Sequence, residues 1–240
     1  MLLTLSLADE KYCKTAPTQF FSIASLLRNS QDAYDRFFAL NPQIKRIGLI
    51  AFDDPEWGNL YLGIWREIAS KRGLTIVDTF LSSDLHPDFK SALTRMRPKK
   101  PDAILFAHEP EALLKTVSQL RVGALLLSAN NALEMVAARN SVPPELDGVY
   151  VVDPAISEEF RRKFFERFKR QPILEAYSGY ESIRTLALAA KTNRSNLAAG
   201  MRTVRYEGTA GLVDFTQGNC AGNLASWKLY RFSQGRQMEQ

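Results

Sequence analysis

Three groups of polar residues have side chains that could take part in catalysis or in ligand binding. Each group directly follows an apolar run, and the groups are Asp53 with Asp54, His108 with Glu109, and Ser128 with Asn130 and Asn131. Carboxylate and imidazole groups can transfer protons or hold a metal, whereas hydroxyl and amide groups orient a small ligand by hydrogen bonds. The residue types therefore leave two kinds of site open, an acid–base centre and a binding pocket.

The catalytic interpretation rests on His108, Glu109 and Asp53. His108 has no second ligand at metal-binding spacing, and the sequence contains no phosphate-binding, dinucleotide-binding or nucleophile-elbow glycine motif. Asp53 and Asp54 form either a carboxylate pair or a turn that caps the following helix, and we favour the turn. The sequence therefore favours a protein that is not an enzyme and that uses no metal or cofactor.

The elements that must position these groups alternate between residues 46 and 152. Apolar strand-like runs occur at 46–52, 74–80, 102–107, 123–127 and 148–152, and amphipathic helical stretches occur at 59–72, 88–96 and 110–120. Continuous apolar strands separated by helices predict a parallel sheet that is buried on both faces. Right-handed crossovers bring the carboxyl ends of such strands to one edge, where α/β proteins bind ligands. Trp57, in the first of these loops, offers an aromatic wall.

The remaining stretches predict shorter elements. An apolar run at 1–7 has no basic residue before it, which indicates a buried strand rather than a secretory signal. A helix is predicted to start at Ser157, and its aromatic stripe is interpreted as core: Phe160, Phe164, Phe165 and Phe168. A second helix, at 177–191, is predicted to face inward through Tyr180, Ile183, Leu186, Ala187 and Ala190. Short strands follow at 202–206, 213–215 and 226–232.

The composition is that of an ordinary globular protein. Apolar residues make up 45% and charged residues 24% of 240 residues, which excludes collagen-like and low-complexity chains. The formal net charge of +5 is compatible with a nucleic-acid or acidic-lipid partner. The cations are not in one block, because one group lies at 95–100 and another, at 161–170, is interleaved with glutamates. We therefore interpret them as solvated surface and predict no nucleic-acid partner.

Five motifs follow one another along the chain. They are Arg46-Ile-Gly-Leu-Ile-Ala-Phe-Asp-Asp with Trp57-Gly58, Asp88-Phe89 with Pro101-Asp102-Ala103, Gly148-Val149-Tyr150, Tyr177-Ser-Gly-Tyr180-Glu-Ser182, and Gly208-Thr-Ala-Gly211 with Asp214-Phe215. In this order they resemble the type I periplasmic ligand-binding proteins, the family of leucine/isoleucine/valine-binding proteins and receptor ligand-binding domains.

The resemblance implies an α/β fold of two Rossmann-like lobes with parallel sheets that close around a ligand. The second lobe would comprise residues 43–152 with the strand at 224–232, and the first lobe residues 1–42 and 153–223. The family has about a hundred further residues before this start, so the first lobe is expected to be incomplete at its N-terminus. Exposed apolar surface at 1–40 and 155–223, with self-association, is expected to follow.

The resemblance also implies function and location. It implies an extracytoplasmic or periplasmic protein that takes a small polar or amino-acid-like ligand to the membrane components of an ABC transporter. The alternative is a ligand-sensing domain of a receptor or regulator.

By motif position the resemblance places six residues at the ligand: Ser6, Trp57, His108, Glu109, Asn130 and Tyr177. Ser6 stands where the family helps to bind the carboxylate of an amino acid. Asn130 stands where amino-acid binders carry an acidic group for the ammonium. A neutral amide cannot offset a buried ammonium. Neutral or anionic ligands are therefore expected to bind better than leucine, unless Glu109 supplies the charge.

Overall fold

Two stretches of sequence build each of the two units into which the chain divides. The first unit comprises Met1–Ser30 and Pro154–Trp227, and the second comprises Gln31–Asp153 and Lys228–Gln240. The computed structural model describes residues 2–4, 20–22, 30–55, 57–83, 86–108, 110–129, 132, 135–136, 139, 141–219, 224–225 and 227–240.

Strands and helices succeed one another along the described residues. The strands are β1 (Leu2–Thr4), β2 (Phe20–Ser22), β3 (Arg46–Phe52), β4 (Thr75–Ser82), β5 (Ala103–Ala107), β6 (Leu125–Ser128), β7 (Tyr150–Pro154), β8 (Arg205–Glu207), β9 (Gly211–Asp214), β10 (Leu224–Ala225), β11 (Trp227–Ser233) and β12 (Arg236–Glu239). The α-helices are α1 (Gln31–Leu40), α2 (Trp57–Arg72), α3 (Phe89–Met96), α4 (Pro110–Leu120), α5 (Glu158–Phe168), α6 (Leu174–Thr192) and α7 (Leu197–Met201). Among these described helices none is both long and apolar enough to cross a membrane.

The second unit contains the predicted open sheet. Its strand order is β12-β11-β7-β6-β5-β3-β4, and the five strands β4, β3, β5, β6 and β7 are parallel to one another. Every residue of β5 is buried, as is the run Ile47 to Ala51 in β3. Helices cover such a sheet on both faces, which is why its central strands are apolar throughout. The predicted fold class is confirmed for this unit.

The helices of the second unit begin and end as the sequence signals indicate. Asp88 caps α3 by accepting a hydrogen bond from the Ser91 amide at 3.0 Å. Gly73 follows α2 with a φ of +63°, a left-handed conformation that glycine adopts without strain. Helix α1 also belongs to this unit, and its Phe37 ring lies edge-on to that of Tyr150 with 5.1 Å between centroids.

The first unit holds smaller sheets. Strands β1 and β2 pair in parallel, and β8, β9 and β10 form an antiparallel sheet. Phe21 of β2 packs edge-on against Phe215, with 5.7 Å between ring centroids. The buried core around this pair also contains Ala189, Met201, Val204 and Val213.

In helices α5 and α6 the exposed faces differ from those that periodicity predicted, whereas the exposed apolar side chains fit the apolar surface expected at 155–223. No residue of α5 is fully buried and Phe168 is 51% exposed, so only Phe160 of its aromatic stripe packs against a buried cluster. In α6 the predicted inward residues Tyr180 and Ile183 are 50% and 70% exposed. The buried side chains of α6 are mainly polar: Tyr177, Ser178, Glu181, Ser182, Thr185 and Ala189. Periodicity identifies the apolar face of a helix, but the neighbours that the fold supplies decide which face is covered.

Candidate functional site

The turn after β3 lies at the carboxyl edge of the parallel sheet in the second unit. The Asp53 amide donates to the carbonyl oxygen of Ser82, at the end of β4, at 3.0 Å. The Asp54 carboxylate accepts from the Gly58 amide at 2.9 Å, so it satisfies an amide in the first turn of α2. The capping interpretation of Asp54 is therefore confirmed.

Gly58 allows α2 to start close against the end of β3. A Cβ atom at this position would lie 1.7 Å from the carbonyl oxygen of Phe52 and 2.8 Å from its carbonyl carbon. No side chain fits in that space, because both atoms belong to the backbone. Gly58 of the first motif therefore has a packing reason as well as a place in the resemblance.

His108 is fully buried directly after β5. Its ring stacks on that of Phe52 with 3.9 Å between centroids and meets Phe89 edge-on at 5.3 Å. Its Nε2 atom lies 3.2 Å from the carbonyl oxygen of Ser82. A carbonyl can only accept, so Nε2 carries the proton in this contact. His108 thus ties the ends of β3, β4 and β5 to the start of α3.

Hydrogen bonds also fix the end of β6. Ser128 is fully buried, and its Oγ atom accepts from the Ala132 amide at 3.2 Å. The Ala129 amide donates to the carbonyl oxygen of Phe106 at 2.8 Å. The hydroxyl of Ser128 therefore supports the backbone of the loop that follows β6.

The structure describes no side-chain position for four of the predicted ligand residues. Ser6, Glu109 and Asn130 lie outside the described residues. Trp57 begins α2, but the structure describes only its backbone. The ligand roles of these residues stay predictions.

Tyr177 lies in the first unit. It is fully buried in an apolar cluster with Ile156 and Ala210, against which Phe160 packs. Tyr177 therefore holds together the segment after β7, the first turns of α6 and the turn before β9. Its role as a ligand contact stays a prediction.

A buried carboxylate that sequence reasoning did not single out lies one turn further along α6. Glu181 is 1% exposed and accepts from the Tyr206 hydroxyl at 2.6 Å and from the Thr209 amide at 2.5 Å. Tyr206 also lies 2.9 Å from Thr185 Oγ1. Burial, together with the hydrogen bond to Glu181, raises the pKa of Tyr206. Tyr206 is thus kept as a neutral donor to the carboxylate.

Two of the family-like motifs meet at Glu181. The helix motif supplies the carboxylate, and the glycine motif at 208–211 supplies the turn whose Thr209 amide it accepts. The carbonyl of Thr209 accepts from the Ser157 amide at 2.7 Å, so both backbone polar groups of Thr209 are hydrogen-bonded. A Cβ atom on Gly208 would lie 2.9 Å from the Gly211 carbonyl oxygen. In the sequence, the one indication of this buried carboxylate is that Glu181 is the single charged residue in its motif, Tyr177 to Ser182.

In the part of the chain that the structure describes, no cluster of His, Cys, Asp and Glu side chains could hold a metal ion. The arrangement that is seen consists of strand ends fixed by backbone hydrogen bonds and buried rings. Such a fixed edge can present loop groups to a small molecule.

Comparisons with known proteins identify the family. The family model described as periplasmic binding protein matches residues 2–235. The chain therefore belongs to the periplasmic binding proteins, which confirms the resemblance. A search of curated protein sequences finds no match.

Solved structures of solute-binding proteins share the fold. One from an ABC transporter of Rhodopseudomonas palustris BisB5, in complex with 3,4-dihydroxybenzoic acid, has a TM-score of 0.80 at 18% identity, over 99% of this chain and 70% of that one. A second from R. palustris, in complex with benzoate, has a TM-score of 0.76 at 17% identity, over 92% and 64%. The leucine-binding protein LivK from Thermotoga maritima has a TM-score of 0.80 at 16% identity, over 99% and 71%.

Proposed function

We propose that the chain is an extracytoplasmic solute-binding protein that holds a small polar or amino-acid-like ligand and delivers it to an ABC transporter. The family match across residues 2–235 carries this proposal. The proteins of known structure named above are solute-binding proteins, and two of them hold aromatic acids. Closure of two lobes around the ligand is the mechanism that the family resemblance implies.

The carboxyl edge of the second unit supports a binding role. The carbonyl oxygen of Ser82 accepts from the Asp53 amide and lies within hydrogen-bond distance of His108, so two strand-end loops share one anchor. A preformed edge loses little conformational freedom when a ligand arrives, which favours affinity. The predicted ligand residues Trp57, Glu109 and Asn130 follow β3, β5 and β6 in the sequence, respectively.

The enzyme alternative would require His108 to exchange a proton with a substrate. The ring is fully buried, contacts Phe52 and Phe89, and directs Nε2 at a backbone carbonyl. A general base must come within hydrogen-bond reach of the proton that it removes. The position of His108 therefore supports a structural role and favours binding over catalysis.

Within the class of small polar or amino-acid-like ligands, we propose a neutral or anionic compound that lacks the ammonium group of an α-amino acid. Asn130 stands where amino-acid binders of the family carry a carboxylate, and an amide does not compensate a buried ammonium. Benzoate and 3,4-dihydroxybenzoic acid, which the two R. palustris proteins hold, are acids without an ammonium group. Aromatic carboxylates are therefore the first compounds to test.

Thermal unfolding with added ligand tests this proposal. A ligand that binds only the folded state stabilises it by about 2.7 kcal/mol at a hundred times its dissociation constant. We expect benzoate or 3,4-dihydroxybenzoate to raise the melting temperature and leucine to leave it unchanged. We expect Asn130→Glu to reverse that preference, because it restores an acidic group.

Gln119→Glu is the matched control, because it adds the same charge at an exposed position near the far end of α4. It should leave the ligand preference unchanged. Strong stabilisation of the unmodified chain by leucine would show that Asn130 does not select the ligand. Failure of every compound in a wider panel of amino acids, amides and aromatic acids would count against the solute-binding role itself.

A further inference from the structure

Seven cationic residues lie together at the amino edge of the parallel sheet in the second unit. They come from the starts of strands and the ends of crossover helices, and we call them the basic edge: Lys45, Arg46, Arg95, Arg97, Lys99, Lys100 and Arg121. All are exposed except Lys99, which is half-buried. Parallel strands with right-handed crossovers bring these separate stretches to one edge, opposite the edge of the predicted ligand residues.

Hydrogen bonds fix the segment after α3, which carries three of the seven cations: Arg97, Lys99 and Lys100. The Arg46 guanidinium donates to the carbonyl oxygen of Lys99 at 2.6 Å, and Arg97 donates to that of Leu120 at 3.1 Å. Asp102 accepts from the amides of Lys45 and Arg46, each at 2.8 Å. These hydrogen bonds hold the backbone of the basic edge and the guanidinium groups of Arg46 and Arg97 in place.

Two carboxylates lie within the basic edge, and both are engaged. Asp78 pairs with Arg95 at 2.9 Å and with Lys99 at 3.0 Å, whereas Asp102 serves backbone amides. The chain has 31 Lys and Arg residues and 26 Asp and Glu residues. When the seven cations and these two acids are set aside, 24 of each remain. The basic edge with these two acids thus carries a formal charge of +5, which equals the net charge of the whole chain.

An open groove runs into the basic edge. Its volume is about 460 Å³, and its lining includes the charged residues Arg97, Lys100 and Asp102 and the apolar residues Ile44, Pro101 and Leu125. Cations in the same groove as apolar residues match the chemistry of an anionic lipid, whose charged headgroup adjoins hydrocarbon.

We propose that the basic edge docks the protein on a bilayer surface that contains anionic phospholipid. Charge complementarity carries the choice of partner, because clustered lysines and arginines attract anionic headgroups additively within a Debye length. The partial negative charge of the helix C-termini at this edge lowers the potential but does not cancel five unit charges. This inference goes beyond ligand binding, since the solute site would lie at the opposite edge of the sheet.

Cosedimentation with lipid vesicles tests the proposal. We expect the full chain to bind vesicles of equal parts phosphatidylglycerol and phosphatidylcholine at low salt, to leave them at high salt, and not to bind phosphatidylcholine alone. The triple variant Arg97→Gln, Lys99→Gln and Lys100→Gln should bind the anionic vesicles at least about tenfold more weakly.

A second triple variant tests whether vesicle binding depends on where the cations lie or only on the net charge of the protein. Arg162→Gln, Lys163→Gln and Arg167→Gln removes the same charge from exposed positions of α5 and should retain vesicle binding. A double variant, Lys45→Gln with Arg121→Gln, keeps the test valid if the first triple variant folds poorly, and it should also weaken binding. Equal losses in the edge and α5 variants would overturn the proposal, as would binding to a short DNA duplex without binding to anionic vesicles.

Discussion

Alanine at position 58 is expected to lower the free energy of unfolding of the second unit by about 3 kcal/mol. The added Cβ would lie 1.7 Å from the Phe52 carbonyl oxygen, and neither partner is a flexible side chain. Either the end of β3 or the start of α2 must move, and the Asp54 contact with the Gly58 amide is lost in the process. Urea unfolding followed by circular dichroism measures the change.

Alanine at position 63 is the matched control in the same helix. Nothing lies within 4 Å of a Cβ atom built on Gly63, so the substitution meets open space. Alanine there should stabilise the unit by about 0.5–1 kcal/mol, because it restricts the unfolded chain and favours the helix. Equal effects of Gly58→Ala and Gly63→Ala would show that the close approach of α2 to β3 is not a feature of the protein in solution.

Removal of the Glu181 side chain is expected to lower the free energy of unfolding of the first unit by about 2–4 kcal/mol. Glu181→Ala leaves the Thr209 amide and the Tyr206 hydroxyl without the carboxylate that they contact at 2.5 and 2.6 Å. Both groups are partly buried, so water replaces the lost acceptor poorly. Glu181→Gln should cost less, because its amide oxygen can still accept from Thr209. Thermal and urea unfolding of the unmodified chain, Glu181→Gln and Glu181→Ala measure their stabilities, which should decrease in that order.

Two further substitutions sharpen the Glu181 test. Glu175→Ala removes an exposed carboxylate from the first turn of the same helix and should cost no more than about 1 kcal/mol. Tyr206→Phe combined with Glu181→Ala should cost less than the sum of the single changes, because they remove a shared hydrogen bond. Additive losses, or a Glu175→Ala loss as large as that of Glu181→Ala, would contradict the assigned network.

The sequence predicts the position of His108 in the fold but not its ring contacts. Its position at the end of a parallel strand follows from the alternation of apolar runs and helices, and so does the edge on which it lies. Its burial between Phe52 and Phe89 does not, because Phe89 belongs to a helix that starts 19 residues before His108 in the sequence. A pattern of residue types cannot tell a ligand-facing imidazole from one that ties loops together.

The sequence by itself determined the parallel sheet of the second unit, the ends of its helices and the family. Those features depend on local signals, such as apolar runs, capping residues and glycines at turns, whose physical effect acts within a few residues. Tertiary structure alone decided that α6 buries Glu181 and exposes Ile183, and that the His108 ring packs against those of Phe52 and Phe89. Both outcomes depend on contacts between elements far apart in the chain, and periodicity carries no information about which element will be the neighbour.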